Sequence, residues 1–200
     1  MSSPPIRRRH RLITRPMIVD TARRLFREQG YPGTTLEMVA TELGVTRAAL
    51  YHWVANKETL LCEIHDEALD RLLERFSKIQ AAELAPGDKL AEALKNHLLT
   101  VADNLDAIAV FFQDEASLPE GPARRIAQRK RDYDHALEVL VRGAQADGSV
   151  RADLDARVTV EMLFGMCNSL YHWYDPNGRI RPQALADQVL EMVFSGLRPR

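Results

Sequence analysis

The sequence has only two cysteines in 200 residues, Cys62 and Cys167, and neither has a Cys-x-x-Cys or Cys/His ligand spacing nearby. That excludes a disulfide framework and a zinc module. Both are expected to be buried helix residues in a reducing compartment. No stretch is long and apolar enough to span a bilayer. The basic start, Met1 to Arg15, lacks the apolar run of a signal peptide, so a soluble protein of the cytoplasm is expected. Strand signals are almost absent: β-branched residues do not alternate, and no Asn-Gly or Asp-Gly pair sits between alternating runs. No fixed-period repeat occurs. The six histidines are scattered, with no Glu-x-x-His pair for a di-iron bundle. There is no His-Glu-x-x-His, Gly-x-Ser-x-Gly, Walker or dinucleotide fingerprint, and Asp114 and Glu115 are adjacent and so point to different sides of a helix. No catalytic, metal or cofactor site is expected.

What is present is a helical chain with enough apolar content, 46%, for a packed core. The net charge of −1 conceals an asymmetry. Residues 1–60 carry an excess of five positive charges and the remainder an excess of six negative ones. A basic first third suggests that this end meets a polyanion.

Helical periodicity with turn punctuation runs from residue 15 to the end, so the fold class is all-α, with about nine helices. Residues 1–13, with Pro4-Pro5 and Arg7-Arg8-Arg9-His10-Arg11, read as a flexible basic arm. Thr14 caps a first helix with Ile18, Ala22, Leu25 and Phe26 on one face, ended by Gly30. Thr35 caps a short second helix that Gly44 closes, Thr46 caps a third, and Asn56 a fourth from Lys57 to about Ile79. Later helices are expected near 87–103, 105–115, 122–146, 154–174 and 182–196. The organisation is a three-helix domain over 14–56 and a larger helical domain over 57–200.

The informative stretch runs from Thr34 to Trp53. Two short helices joined by a Gly-containing turn make a helix-turn-helix. In its second helix, Val45, Ala49, Leu50 and Trp53 fall on the side expected to pack inward. Thr46, Arg47, Ala48, Tyr51 and His52 fall on the other. Small residues let such a helix approach base edges, and Arg47 has the donors for a guanine. Tyr51, His52 and Lys57 lie where phosphates would pass, as do Thr34-Thr35 at the start of the second helix.

Residues 14–62 resemble the DNA-binding domain of TetR-family transcriptional regulators. The resemblance is carried by Ala22-x-x-Leu25-Phe26-x-x-x-Gly30-Tyr31, Thr34-Thr35, Ala40-x-x-Leu43-Gly44-Val45-Thr46 and Leu50-Tyr51-His52-Trp53-Val54-x-Asn56-Lys57-Glu58-x-Leu60. Trp53 stands where the family often has Phe, and Asn56 where it often has Ser; an aromatic core plug and a helix cap are kept. The resemblance implies a third helix that reads the major groove, phosphate contacts from Tyr51, His52 and Lys57, and a fourth helix leading into a ligand domain. It also implies a repressor bound to a near-palindromic duplex. A helical protein-interaction adaptor that has lost DNA binding is the competing class, and the intact Thr35, Arg47, Tyr51 and Lys57 set argues against it.

The last two helices carry more apolar surface than one core needs. Val158, Leu163 and Leu170 on the first, with Leu185, Val189, Met192 and Val193 on the second, are expected to pair with a second copy. A pocket for a small hydrophobic effector is expected among the middle helices. Its candidate walls are His97, Val101, Phe111, Phe112, Gln113 and Tyr133, with Arg131 as a cation. Met162, Met166, Tyr171 and Trp173 complete the set. Arg124, Arg125, Arg129, Lys130 and Arg131 form a basic run that would suit a phosphate-bearing ligand such as an acyl-CoA thioester. The runs Phe112-Gln113-Asp114-Glu115-Ala116, Arg151-x-Asp153-Leu154 and Trp173-Tyr174-x-Pro176-x-Gly178 are similar to a TetR branch governing fatty-acid and sterol breakdown.

Overall fold

A computed structural model describes residues 13–197. Among these residues the regular structure is wholly helical. It comprises α1 (Arg15–Gln29), α2 (Leu36–Leu43), α3 (Arg47–Tyr51), α4 (Lys57–Ala81), α5 (Pro86–Asp103), α6 (Leu105–Gln113), α7 (Glu120–Ala146), α8 (Ala156–Asn168), α9 (Leu170–Trp173) and α10 (Pro182–Leu197), with one 3₁₀ turn at Glu115–Ser117. No described helix is long and apolar enough to cross a membrane. The basic arm expected over residues 1–13 lies outside the described residues except for Ile13, which packs partly against the first core cluster.

The helix starts follow from side-chain caps. Thr14, Thr35, Thr46 and Asn56 each accept a backbone N–H from three residues on, which satisfies a donor that has no intrahelical partner. Gly44 ends α2 at φ +69°, a left-handed conformation that costs other residues a Cβ clash. The helix expected over 154–174 is instead two pieces: the Ser169 hydroxyl donates to the Met166 carbonyl at 2.7 Å, and α9 restarts beyond it. Counting α8 and α9 as one interrupted helix gives the expected nine. The helix expected over 105–115 stops at Gln113, where the chain tightens into the 3₁₀ turn, and α7 begins at Glu120 because Pro122 fits a first turn.

The core has three clusters. The first joins α1 to α3 with the start of α4, through Phe26, Leu50, Leu60, Leu61 and Ile64, and runs on to Val110, Phe111 and Ile126. Apolar packing therefore does not stop at residue 56, where the sequence suggested a boundary, because α4 is shared: its first turns belong to the small domain and its later turns to the large one. The second cluster packs α4, α5, α7 and α8; the third packs α5 and α6 against α8, α9 and α10. Between α4 and α7, Asp66 pairs with Arg125 and Arg129, and Asp70 with Arg129.

Candidate nucleic-acid interface and ligand cavity

α2 and α3 meet through a turn in which the Val45 N–H donates to Ala40 O and the Gly44 N–H to Thr41 O, both at 3.0 Å. Leu43, Leu50 and Val54 are buried behind it. On the outside, Thr46, Arg47, Ala48, Tyr51 and His52 are all exposed. The Arg47 guanidinium lies 2.8 Å from Glu37 Oε1 on α2, donates to the Tyr51 hydroxyl at 3.3 Å and stacks over that ring at 5.3 Å. This surface is a short helix with small residues at its front, a flexible cation in the middle and a phenol and imidazole behind.

On this surface the structure departs from three sequence expectations. Trp53 is no core plug: it is 44% exposed. The helical spacing that placed it inward ends with α3 at Tyr51, and Val54 takes the inward position. The Trp53 carbonyl instead accepts from Arg15 Nη1. Thr34 is buried, with its hydroxyl 2.9 Å from Gly30 O and 3.2 Å from Leu25 O, so it closes the C-terminal end of α1 and presents nothing outward. Lys57 turns inward too. Its ammonium lies 2.8 Å from Tyr31 O, 3.1 Å from Thr34 O and 3.5 Å from Pro32 O, and 4.3 Å from the Tyr31 ring centre. With its three protons engaged, it clamps the α1–α2 turn. Thr35 remains at the exposed start of α2, its hydroxyl accepting the Met38 N–H.

The larger domain has a partly open cavity of about 500 Å³ between α4, α5, α6, α7 and the α8–α9 break. Of the expected wall residues, His97, Val101, Phe111, Phe112, Tyr133 and Tyr171 line it. Gln113, Arg131, Met162, Met166 and Trp173 do not. Gln113 and Arg131 face away and are exposed, and Arg131 donates to Gln128 Oε1. Trp173 is exposed and Met166 packs into the third cluster. The cation at the wall is Lys130, one residue before the one expected; a single step along a helix turns a side chain by 100°. Lys130 pairs with Glu115 at 3.0 Å and lies 5.2 Å from the Phe111 ring centre. The other arginines of α7 are paired as well: Arg124 with Glu120, Arg125 and Arg129 with α4, and Arg142 with Glu138.

Sequence reasoning missed Thr100, Phe164, Asn168, Asp134 and Glu161 in this wall. Thr100 follows His97 by one turn, and Phe164 and Asn168 are four apart, so helical spacing from His97 and an aromatic was the available signal. Inside, rings stack: His97 on Phe164 with centres 4.6 Å apart, and Tyr133 on Phe164 at 5.4 Å. His97 joins a buried polar chain, with Nδ1 3.2 Å from the Tyr133 hydroxyl and Nε2 2.9 Å from Asn168 Oδ1. Since Asn168 Oδ1 only accepts, Nε2 carries the proton and the Tyr133 hydroxyl donates to Nδ1. Burial lowers the His97 pKa to about 4, so the ring is neutral. Burial, with Glu161 nearby, raises the Asp134 carboxyl.

Three contacts tie this wall to α1, the α1–α2 turn and the start of α4. Arg27 of α1 donates to the carbonyl of Tyr171 at 3.1 Å. Asp114, at the end of α6, has its pKa raised by burial, a rise that the nearby Tyr31 backbone N–H opposes. His65 stacks on Phe111 at 4.8 Å, with Nδ1 2.9 Å from the Leu61 carbonyl and Nε2 3.3 Å from that of Phe111.

On the outer surface, Val158, Met162 and Met192 are 59%, 71% and 62% exposed. Leu170 and Leu185, expected between copies, are buried in their own chain because α9 and α10 close over α5. Leu163, Val189 and Val193 are half-buried against the same cluster.

Residues 18–64 match the family pattern described as bacterial regulatory proteins, tetR family. Residues 83–197 match that described as the tetracyclin repressor-like C-terminal domain. The chain is 27% identical over 185 residues to the HTH-type transcriptional repressor KstR2 of Rhodococcus jostii, covering 92% of this chain and 90% of that protein. It is 26% identical over 183 residues to the fatty acid metabolism regulator protein of Bacillus subtilis, covering 90% and 93%. Among solved structures it is similar to AibR in complex with isovaleryl coenzyme A and operator DNA, with a TM-score of 0.78, 29% identity, and coverage of 90% and 97%.

Proposed function

The chain belongs to the TetR family of bacterial regulatory proteins, and from that premise we propose that it is a dimeric, sequence-specific repressor released from its operator by a hydrophobic ligand. One observation carries the DNA-binding half. Thr46, Arg47, Ala48, Tyr51 and His52 are exposed on α3 and its caps, while Leu50 and Val54 fix the helix from behind. Arg47 exchanges Glu37 for a guanine edge, Ala48 and the Thr46 methyl meet thymine methyls, and Tyr51 and His52 meet phosphates. The Thr35 hydroxyl and the start of α2 lie beside them. Lys57 acts through the turn it clamps.

Dimerisation supplies the second reading helix. Val158, Met162 and Met192 form the exposed apolar surface for it, and two copies of α3 about 34–36 Å apart fit successive major grooves. The cavity is the effector site. The likeness to the B. subtilis regulator and to AibR with its acyl-CoA supports an acyl-CoA thioester as the ligand class. A ligand that fits one arrangement of α6 and α9 biases Tyr171–Arg27 and Asp114–Tyr31 together, and through them the seat of α1 and α2. It acts only by its differential affinity for the two arrangements. A loss of about 3 kcal/mol of operator affinity is roughly a hundredfold.

The test has two arms. Total genomic fragments are selected on the purified protein, and the recovered duplex is titrated with and without acyl-CoA thioesters of several chain lengths. Enrichment of a near-palindrome, released by at least one thioester, is expected. Failure to enrich any sequence overturns the regulator reading, and an enriched duplex that no thioester releases removes the acyl-CoA class.

A further inference from the structure

The cavity wall contains a polar atom that the fold leaves without a partner. Thr100 is 4% exposed, lines the cavity from α5, and its hydroxyl makes no hydrogen bond. A threonine inside a helix ordinarily bonds the carbonyl four residues back, and this one does not. Buried hydroxyls are nearly always bonded, because leaving one unbonded forfeits its hydration without return. The same cavity wall holds the chain Tyr133–His97–Asn168. Asn168 commits its oxygen to His97, which leaves the amide nitrogen as a further donor, and Tyr133, having donated its proton, retains lone pairs. Phe164, Val101, Leu72 and Leu69 line the same cavity.

We propose that Thr100 forms a polar subsite that selects effectors bearing an uncharged oxygen, a ketone or hydroxyl, on the portion buried among the aromatic side chains. This rests on the reading of the cavity as the effector site and narrows it. A saturated acyl chain would leave Thr100 unpaired, whereas an oxygenated ring or chain would satisfy it. The subsite excludes a carboxylate. The one ring nitrogen that carries a proton already serves Asn168, and the nearest wall cation, Lys130, is held by Glu115.

The test compares 1-tetralone with tetralin, rigid bicyclic probes that differ in one carbonyl, on the full-length protein. Affinities are measured by calorimetry or ligand-observed magnetic resonance. The readout is the ratio of ketone to hydrocarbon affinity, which cancels general effects on the cavity. A single neutral hydrogen bond corresponds to about five- to tenfold in affinity. Thr100→Val, which replaces the hydroxyl with a methyl of similar size, lowers the ratio by that factor, and Thr100→Ser, which keeps the hydroxyl, restores it. A ratio unchanged in Thr100→Val overturns the subsite while leaving the cavity as a ligand site. Binding of neither probe to the wild type overturns the subsite, while the thioester titration decides separately whether the cavity binds an effector.

Discussion

The buried imidazole of His97 makes stability depend on pH in a calculable way. Its pKa is ordinarily 6.5 and is lowered to about 4 in the fold, because burial strips water from the charged form and only Asn168 opposes that. The unfolded chain therefore takes up a proton at a pH where the folded chain does not. Above pH 6.5 both forms are neutral and the site is without effect. As the pH falls from 6.5 towards 4, stability is lost. The full penalty is roughly 3 kcal/mol, of which about 2 kcal/mol is incurred between pH 7.5 and 5. Urea unfolding at fixed protein concentration over that range, for wild type and His97→Gln, isolates the contribution, since His65 and the carboxylates titrate in both. Glutamine keeps groups for Tyr133 and Asn168 but cannot be protonated. The wild type should lose about 2 kcal/mol more than the variant. Parallel losses would refute the claim that a neutral imidazole is enclosed at this position.

Other perturbations address separate contacts. Glu37→Gln frees Arg47 from an ion pair that is largely exposed and so worth little; operator affinity in a filter or anisotropy assay should rise by less than about fivefold at low salt and converge with wild type at high salt. Met162→Glu places a charge on the exposed apolar face of α8, and sedimentation should show monomers that bind a single half-site weakly. Arg27→Met removes the bond to Tyr171 O while leaving both binding sites intact, so the effector-induced drop in operator affinity should shrink about three- to tenfold with ligand affinity little changed.

Much of the fold was legible because its signals are local. Thr14, Thr35, Thr46 and Asn56 cap helices through bonds three residues long, and Gly44 closes α2 by its own conformation. The outward face of α3 was legible for the same reason. What escaped depends on helix rotation and on where a helix stops. Trp53 was misplaced because α3 ends two residues before it. Arg131 was chosen where Lys130 lines the wall, since charge alone does not give the rotation of α7. Met162 is exposed and Leu170 buried, yet both are apolar; sequence does not distinguish a core position from a face that awaits a second copy. Lys57 and Thr34 have the right chemistry for phosphate, but carbonyls lie closer to hand: those of the α1–α2 turn for Lys57 and those at the end of α1 for Thr34.

Regulation by this chain requires α3 to read a duplex. The most direct measurement is the affinity of wild type and Arg47→Ala for the duplex recovered from genomic selection and for a shuffled duplex of equal length, at two salt concentrations. The wild type should prefer the selected duplex and weaken steeply with salt, whereas Arg47→Ala should lose about 1–3 kcal/mol of that preference per half-site while keeping most of its affinity for the shuffled one. An Arg47→Ala protein that discriminates between the two duplexes as well as wild type would contradict it.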